Sequence, residues 1–178
     1  MATVFGQQRK GSPVNASTVL KYFIKQDCEA LRKEIEENAM DPFELGAWSV
    51  KEDRLSLLKL ALEYCSPLAH DSLLLRQSVE FGSRECFAHL LEVCNPQANH
   101  SEALFFTIYY ERGDMYNTLR PLSCLEAAAT HMESNPPVEL FPLLERFYRD
   151  LEEDQRIKQA QKILSALPSV QPKPPKKI

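Results

Sequence analysis

Two stretches of the chain share one pattern of residues. His70–Leu91 and His100–Leu119 each begin at a histidine, reach a glycine after an apolar block of helical length, and close a second apolar block on leucine. The histidines, and likewise the glycines Gly82 and Gly113, are separated by about 30 residues. Two short helices joined by a turn cannot bury both apolar faces alone and must stack on neighbouring units. The recurrence therefore predicts an array of helix-turn-helix repeats.

Composition favours helices throughout the chain. It has only five glycines among 178 residues, and few segments alternate apolar with polar residues as strands do. Hydrophobic residues make up 44% and charged residues 26%, which is ordinary for a folded domain and argues against wholesale disorder. A chain of this length suits one domain with one core. We therefore predict an all-α fold of stacked repeats.

Charge and cysteine content argue against several classes of function. A net charge of -4 with interleaved signs gives no basic surface for nucleic acid. No apolar run approaches the ~20 residues needed to cross a bilayer. The five cysteines form an odd set without CxxC spacing, which indicates free thiols in a reducing compartment. We expect a cytoplasmic protein with no nucleic-acid partner, membrane span, metal or cofactor, and leave its oligomeric state open.

A third copy of the pattern lies near the start of the chain, and a fourth is incomplete. Residues 18–42 hold two amphipathic helices, the second with Asp27 as its N-cap. Pro42 ends this unit, because proline disfavours helical geometry in the residue before it. Residues 53–66 supply one strongly apolar helix whose partner helix is missing or short. This second unit is therefore predicted to be truncated.

The two ends of the chain differ from the repeat region, which we expect over residues 15–133. Residues 1–14 have two glycines, a proline and no helical stripe, and they predict a flexible leader. An amphipathic pattern over residues 138–167 predicts a helix too long for a repeat, which would cover the end of the stack as a cap. Residues 168–178 contain four prolines and three lysines and are expected to be disordered.

Three segments share a further order of features: a short helix or its end, a polar turn that contains glycine in two of the three, and a second helix closing on apolar residues. They are Leu20–Pro42, Phe81–Pro96 and Arg112–Leu119. In this they resemble ankyrin repeats, which recur about every 33 residues. No unit carries the Thr-Pro-Leu-His opening of that family, so a related helical-hairpin array stays open. The resemblance implies a protein-binding module, and it is compatible with a bacterial effector, or a regulator of one, secreted into a host cytosol.

Reactive side chains do not form a recognisable catalytic or metal motif. The histidines that open the two units are explained by the repeat alone. Cys86 and His89 have the i, i+3 spacing of half a zinc site, but further ligands are missing. Acidic clusters at residues 34–37 and 145–154 lie beside basic residues, as on solvated helix faces. The alternative to a binding module is a small all-helical enzyme that uses a cysteine nucleophile or a carboxylate pair.

Turns and entrances of the repeats are the expected binding region. In stacked arrays these positions line one continuous groove, and tyrosine, tryptophan and arginine are frequent anchors for partners. The predicted partner-binding residues are Trp48, His70, Asp71, Asn99, His100, Tyr109, Tyr110, Glu111, Arg112, Asp114 and Tyr116. We therefore expect a non-catalytic module that binds a protein through the concave face of the array.

Overall fold

The computed structural model describes residues 16–134, 136 and 142–166. These residues form ten α-helices and one short 3-10 helix, with no strand among them, so the predicted all-α class is confirmed. The leader 1–14 and the tail 168–178 lie outside the described residues. The α-helices are α1 (Ala16–Lys25), α2 (Cys28–Glu36), α3 (Pro42–Lys51), α4 (Leu55–Leu62), α5 (Ala69–Phe81), α6 (Arg84–Val93), α7 (Ala98–Tyr109), α8 (Gly113–Leu119), α9 (Leu125–Ser134) and α10 (Pro142–Ala166).

Helices α1 to α8 pack as four consecutive hairpins. Within each hairpin the two helices contact one another, and contacts between hairpins follow two rows. In the odd row α3 packs on α5, α5 on α7, and α7 on α9; in the even row α2 packs on α4, and α4 on α6. The core lies between these helices, where complete burial of a leucine stabilises by roughly 1.5–3 kcal/mol. Fully buried core residues include Leu45, Leu57, Leu58, Leu74, Leu75, Leu90, Leu104, Ile108 and Leu119.

The turn inside each hairpin contains a residue with left-handed backbone geometry. Asp53, Gly82 and Glu111 have φ of 51°, 72° and 52°, and the interval from Asp53 to Gly82 equals that from Gly82 to Glu111. We call this spacing the turn register. Gln26, with φ 55°, occupies the turn of the first hairpin at a slightly shorter interval. The predicted match between Gly82 and Gly113 is therefore wrong, because Gly113 lacks this geometry and begins α8.

A second left-handed element opens the third and fourth hairpins. His70, Asp71 and Ser72 have φ between 51° and 61°, and residues 99–101 have φ between 46° and 59°. The two triplets are separated by the same interval as the turn residues, so His70 corresponds to Asn99 and not, as predicted, to His100. Left-handed geometry costs roughly 1–2 kcal/mol per non-glycine residue, so surrounding contacts must hold it in place.

Two buried serine hydroxyls supply such contacts. Ser72 is 4% exposed, and its Oγ accepts a hydrogen bond from the backbone N–H of Asn95 at 3.1 Å. Ser101 is fully buried, and its Oγ accepts from the backbone N–H of Cys124 at 2.9 Å. Each bond connects the entrance of one hairpin to the chain just beyond its second helix. The left-handed turns thus place hydroxyl acceptors where these N–H groups need a partner.

Neighbouring hairpins are joined by side chains that directly follow the turn residue. The guanidinium of Arg54 donates to the carbonyl oxygens of Phe23 and Ile24, at 2.8 and 3.1 Å, at the end of α1. Ser83 donates its hydroxyl hydrogen to the carbonyl oxygen of Val50, near the end of α3. The last carbonyls of a helix have no partner within it. The next hairpin therefore adds a donor to carbonyl oxygens at the end of the previous one, where those of Phe23 and Val50 also accept from the turn N–H groups of Gln26 and Asp53.

The second hairpin is complete, so its predicted truncation is wrong. The side chain of Asp41 accepts from the backbone N–H of Phe43 at 2.9 Å, and Pro42 occupies the first turn of α3. A proline there starts a helix, because the missing N–H would have no partner within the helix anyway. Gly46 is buried against α5, where an added Cβ would lie 3.3 Å from Leu74 Cδ1. The proline and the glycine that obscured α3 in the sequence both fit its position.

The helix predicted over residues 138–167 is present as α10 over Pro142–Ala166. It belongs to a second compact unit, which begins at Pro137, while residues 137–141 and 167 lie outside the described residues. Ile157, Ile163 and Leu164 are 49–68% exposed on this helix. Its predicted role as a cap stays a prediction. Across the described part of the chain, no helix has both the length and the apolar character required to cross a bilayer.

We expect Gly82→Ala and Gly113→Ala to act differently. An alanine at Gly82 would adopt left-handed geometry and bring its Cβ to 3.0 Å from Arg112 Cζ, so the free energy of unfolding should fall by about 1–2 kcal/mol. Gly113 has open space around it, so Gly113→Ala should be neutral or stabilise by up to ~1 kcal/mol. Urea unfolding measures both. Equal effects would contradict the turn register.

Replacement of Ser101 by alanine should remove the acceptor for the Cys124 N–H. A buried donor left without a partner costs roughly 1–3 kcal/mol, and urea unfolding should show a loss of this size. Ser56 is exposed and donates to Gln26 Oε1 at 3.2 Å, so Ser56→Ala is the matched control, with an expected change within about 0.5 kcal/mol. If Ser101→Ala is as stable as the Ser56→Ala control, the Ser101 hydroxyl does not stabilise the fold through its bond to the Cys124 N–H.

Candidate functional site

Four aromatic side chains come together in the last turns of α7 and at Tyr110, the residue that caps its end. Phe105, Phe106, Tyr109 and Tyr110 lie at positions i, i+1, i+4 and i+5, so two neighbouring pairs share one side of the helix. They border a cavity of about 490 Å³, here called the aromatic pocket. Its lining is Glu102, Phe105, Phe106, Tyr109, Tyr110, His131 and Pro136.

The rings of the aromatic pocket contact one another directly. Phe106 and Tyr110 are stacked, with centroids 5.7 Å apart and planes 17° apart, and Tyr109 meets Tyr110 edge-on at 5.1 Å. Phe105 is 5% exposed and belongs to the core, whereas Tyr109 is 43% exposed. Paired aromatic rings hold each other in fixed orientations. The pocket therefore presents a preformed aromatic surface.

The polar part of the aromatic pocket links three helices. Glu102 on α7 accepts from Arg76 Nη1 on α5 at 2.6 Å and from Asn99 Nδ2 at 2.6 Å. His131 on α9 has its Nε2 3.8 Å from Glu102 Oε1. The guanidinium of Arg76 also lies 5.5 Å from the centroid of the Phe106 ring. Because the Glu102 and Arg76 side chains are only 13% and 30% exposed, this ion pair is better shielded than a surface pair.

Glu80 on α5 lies beside the rim of the aromatic pocket. Its Oε1 accepts a hydrogen bond from the Tyr110 hydroxyl at 3.4 Å. Burial of the Tyr110 phenol, and then the negative charge of Glu80, raise the pKa of Tyr110 above its usual value. The phenol therefore stays protonated and can donate at neutral pH, while Glu80 supplies a carboxylate next to the rings.

A second cavity, of about 410 Å³, lies at the turns and is here called the turn groove. Its lining is Asp53, Gly82, Arg84, Glu111, Arg112, Asp114 and Met115. Asp53 accepts from the backbone N–H groups of Glu85 and Cys86 at 3.3 and 3.0 Å. Arg84 pairs with Asp114 at 3.0 Å. Most charges of the turn groove thus have structural partners, so it offers few free groups to a ligand.

The structure divides the predicted site residues among several places. Tyr109 and Tyr110 line the aromatic pocket, and Asn99 bonds to its Glu102. Glu111, Arg112 and Asp114 line the turn groove. His70, Asp71 and His100 are exposed at the left-handed turns.

Two aromatic members of the predicted set pack inward. Trp48 is half-buried against the core, with its ring centroid 5.8 Å from that of Phe23. His70, in contrast, stays at the surface, with its ring centroid 4.8 Å from that of Phe43. Tyr116 is fully buried, so its prediction as a partner contact is wrong. It corresponds to Leu58 and Phe87 in the turn register, and those positions fill the core between hairpins.

Sequence reasoning missed several residues of the aromatic pocket. Phe106 could have been found, because it lies one helical turn before Tyr110 in the same largely apolar segment, residues 103–110. Arg76, Glu102 and His131 come from three different helices and carry no shared motif. Only the packing of α5, α7 and α9 brings them together.

Three cysteines lack the properties of a nucleophile. Burial, with the nearby Asp53 carboxylate as a further cause, raises the pKa of the Cys86 thiol to about 12. Burial raises the pKa of Cys94 to about 11 and also that of Cys65. A catalytic thiol needs the opposite shift. No group of three or more histidine, cysteine, aspartate or glutamate side chains suited to a metal occurs among the described residues.

Cys86 and Cys94 should react slowly with iodoacetamide in the folded protein at pH 7. With a pKa of about 11, only about one Cys94 thiol in 10,000 is ionised there. The rate should rise about tenfold per pH unit until the thiol ionises or the protein unfolds, and urea should abolish the protection. Mass spectrometry of the alkylated peptides measures each site. Labelling of either cysteine at the rate of an exposed peptide thiol would contradict the raised pKa values of these two thiols.

No protein-family model, curated protein sequence or solved structure matches this chain. A family assignment therefore gives no guide to its activity or partners.

Proposed function

We propose that this chain is a non-catalytic, ankyrin-like helical-repeat module that binds a protein partner through the odd-row face that carries the aromatic pocket. One observation carries the proposal: an exposed tyrosine at the edge of a preformed aromatic cavity, surrounded by polar side chains. Tyrosine and arginine are enriched among the residues that dominate binding energy, and such residues are ringed by polar groups. The lining of the aromatic pocket combines two tyrosines with the polar side chains of Glu102 and His131.

The hairpin architecture supports the ankyrin-like part of the proposal. Four hairpins contact their neighbours in two rows, and their turn residues recur at nearly even spacing along the chain. Arrays of this kind use a surface that crosses several repeats for binding. Here Arg76, Glu102 and His131 come from three successive helices of the odd row, so a partner at the pocket would contact more than one repeat. Secretion into a host cell stays a prediction of the resemblance alone.

Tyr109→Ala should weaken the complex with the native partner at least about tenfold, as expected when a central aromatic anchor is removed. Affinity purification from the native cell followed by mass spectrometry identifies the partner, and calorimetry with the purified pair measures its dissociation constant. Tyr109→Phe should retain most of the affinity, because the ring is kept. Since Tyr109 is 43% exposed, the variants should remain folded.

Tyr64→Ala is the matched control. Tyr64 is 37% exposed just after α4, a helix of the even row, and its hydroxyl donates to Glu36 at 2.8 Å. Its loss should leave the affinity unchanged if the partner binds the odd row. A complex that tolerates Tyr109→Ala but not Tyr64→Ala would place the binding surface on the even row and overturn the proposal.

A further inference from the structure

Arginine side chains lie over aromatic rings in three places, and each links two hairpins. Arg32 lies 5.9 Å from the ring centroid of Tyr64 and pairs with Glu63 at 2.5 Å. Arg76 lies 5.5 Å from that of Phe106 and pairs with Glu102 at 2.6 Å. The third is Arg54, 4.8 Å from the ring centroid of Phe23, with backbone carbonyls as its acceptors.

The physical basis of this arrangement is general. A cation is attracted to the face of an aromatic ring, and its N–H groups form charge-assisted hydrogen bonds with oxygen acceptors. The methylene stem of the side chain covers the ring at the same time. A ring next to a carboxylate therefore suits an arginine or lysine side chain.

The rim of the aromatic pocket has rings and a carboxylate, but among the described residues no arginine lies over the Tyr109 or Tyr110 ring. Tyr109 is exposed, and its ring centroid lies 5.1 Å from that of Tyr110. The Tyr110 hydroxyl donates to the Glu80 carboxylate. Among the described residues, no lysine, arginine or histidine lies within ion-pair distance of the Glu80 carboxylate.

Other charged groups near the rim have partners of a different kind. Glu102 is already paired with Arg76. Arg112 donates from its Nη2 to the backbone carbonyl oxygen of Glu80 at 3.4 Å, and not to the carboxylate. The Glu80 carboxylate is therefore the acceptor that a cation on the Tyr109 and Tyr110 rings would meet.

We propose that the rim of the aromatic pocket binds an arginine or lysine side chain of the protein partner, with its stem on Tyr109 and Tyr110 and its charge beside Glu80. This inference rests on the proposed function and specifies the chemistry of the partner as a basic segment. Charge complementarity favours it: the pocket lining and Glu80 supply two carboxylates, of which only Glu102 has an arginine partner, and the chain carries a net charge of -4.

A pair of short peptides tests the inference without knowledge of the partner. Acetyl-Gly-Arg-Gly-amide and its citrulline analogue have nearly the same shape, but only the first is charged. Each is titrated into protein with ¹³C-labelled tyrosine rings. The arginine peptide should shift the Tyr109 and Tyr110 signals with a dissociation constant in the millimolar range, as expected for one side chain. The citrulline peptide should bind at least about fivefold more weakly, because it lacks the cation–π and charge-assisted contacts.

Glu80→Gln separates the charge from the shape of the site. Glutamine keeps an acceptor for the Tyr110 hydroxyl, so the fold should be retained, but the affinity for the arginine peptide should fall about threefold or more and that for the citrulline peptide should not change. Glu92→Gln removes the same charge from an exposed position on α6 and should have little effect. A higher salt concentration should weaken the binding of the arginine peptide and leave that of the citrulline peptide unchanged.

The outcomes distinguish this inference from the proposed function. Equal binding of the two peptides, no shift with either, or an arginine affinity unchanged by Glu80→Gln would overturn the inference. If the native complex is weakened by Tyr109→Ala but not by Glu80→Gln, the partner inserts an uncharged group: the proposed function then stands and the inference fails. If neither substitution weakens the native complex, the proposed function fails as well.

Discussion

The structure depends on backbone groups at helix ends, which cannot be satisfied within their own helix. In this protein the partner often comes from the neighbouring hairpin. Arg54 donates to the last carbonyls of α1, and Asp53, the residue before it, accepts from the first N–H groups of α6. One turn thus serves the hairpin before it and the hairpin after it. A single hairpin removed from the array would lose these hydrogen bonds and would also leave its apolar faces without cover.

This arrangement explains what the sequence could reveal about the fold. The helices around Gly82 were predictable, because apolar residues at helical spacing flank a residue that tolerates left-handed geometry. The turn register was not, because Asp53, Gly82 and Glu111 share a backbone conformation but not a residue type: two are acidic and the third has no side chain. The helix α3 was obscured because Pro42 was interpreted as the end of the preceding unit and Gly46 lowers helix propensity inside the helix. Tertiary packing against α5 overrides that propensity.

The candidate site was predictable to a smaller extent. Tyr109 and Tyr110 were found because they lie near a predicted turn and tyrosine is a frequent anchor for partners. The other residues of the aromatic pocket could not be identified without the turn register. Arg76 and His131 reach Glu102 only when α5, α7 and α9 lie side by side. A small error in the length of the repeat rotates each helix by about 100° per residue and changes which side chains meet. Tyr116 was misassigned because its place near a turn did not show that its side of α8 faces the core.

The turn register has a consequence for how such a chain can change in length. A segment that runs from one turn residue to the next begins and ends at equivalent points of two successive hairpins, so its duplication would present backbone groups of the same kind at each new junction. An insertion of any other length inside a helix would misplace the turn residue and the serine of the left-handed triplet together. Gain or loss of whole units is therefore the change in length that this architecture accommodates most readily.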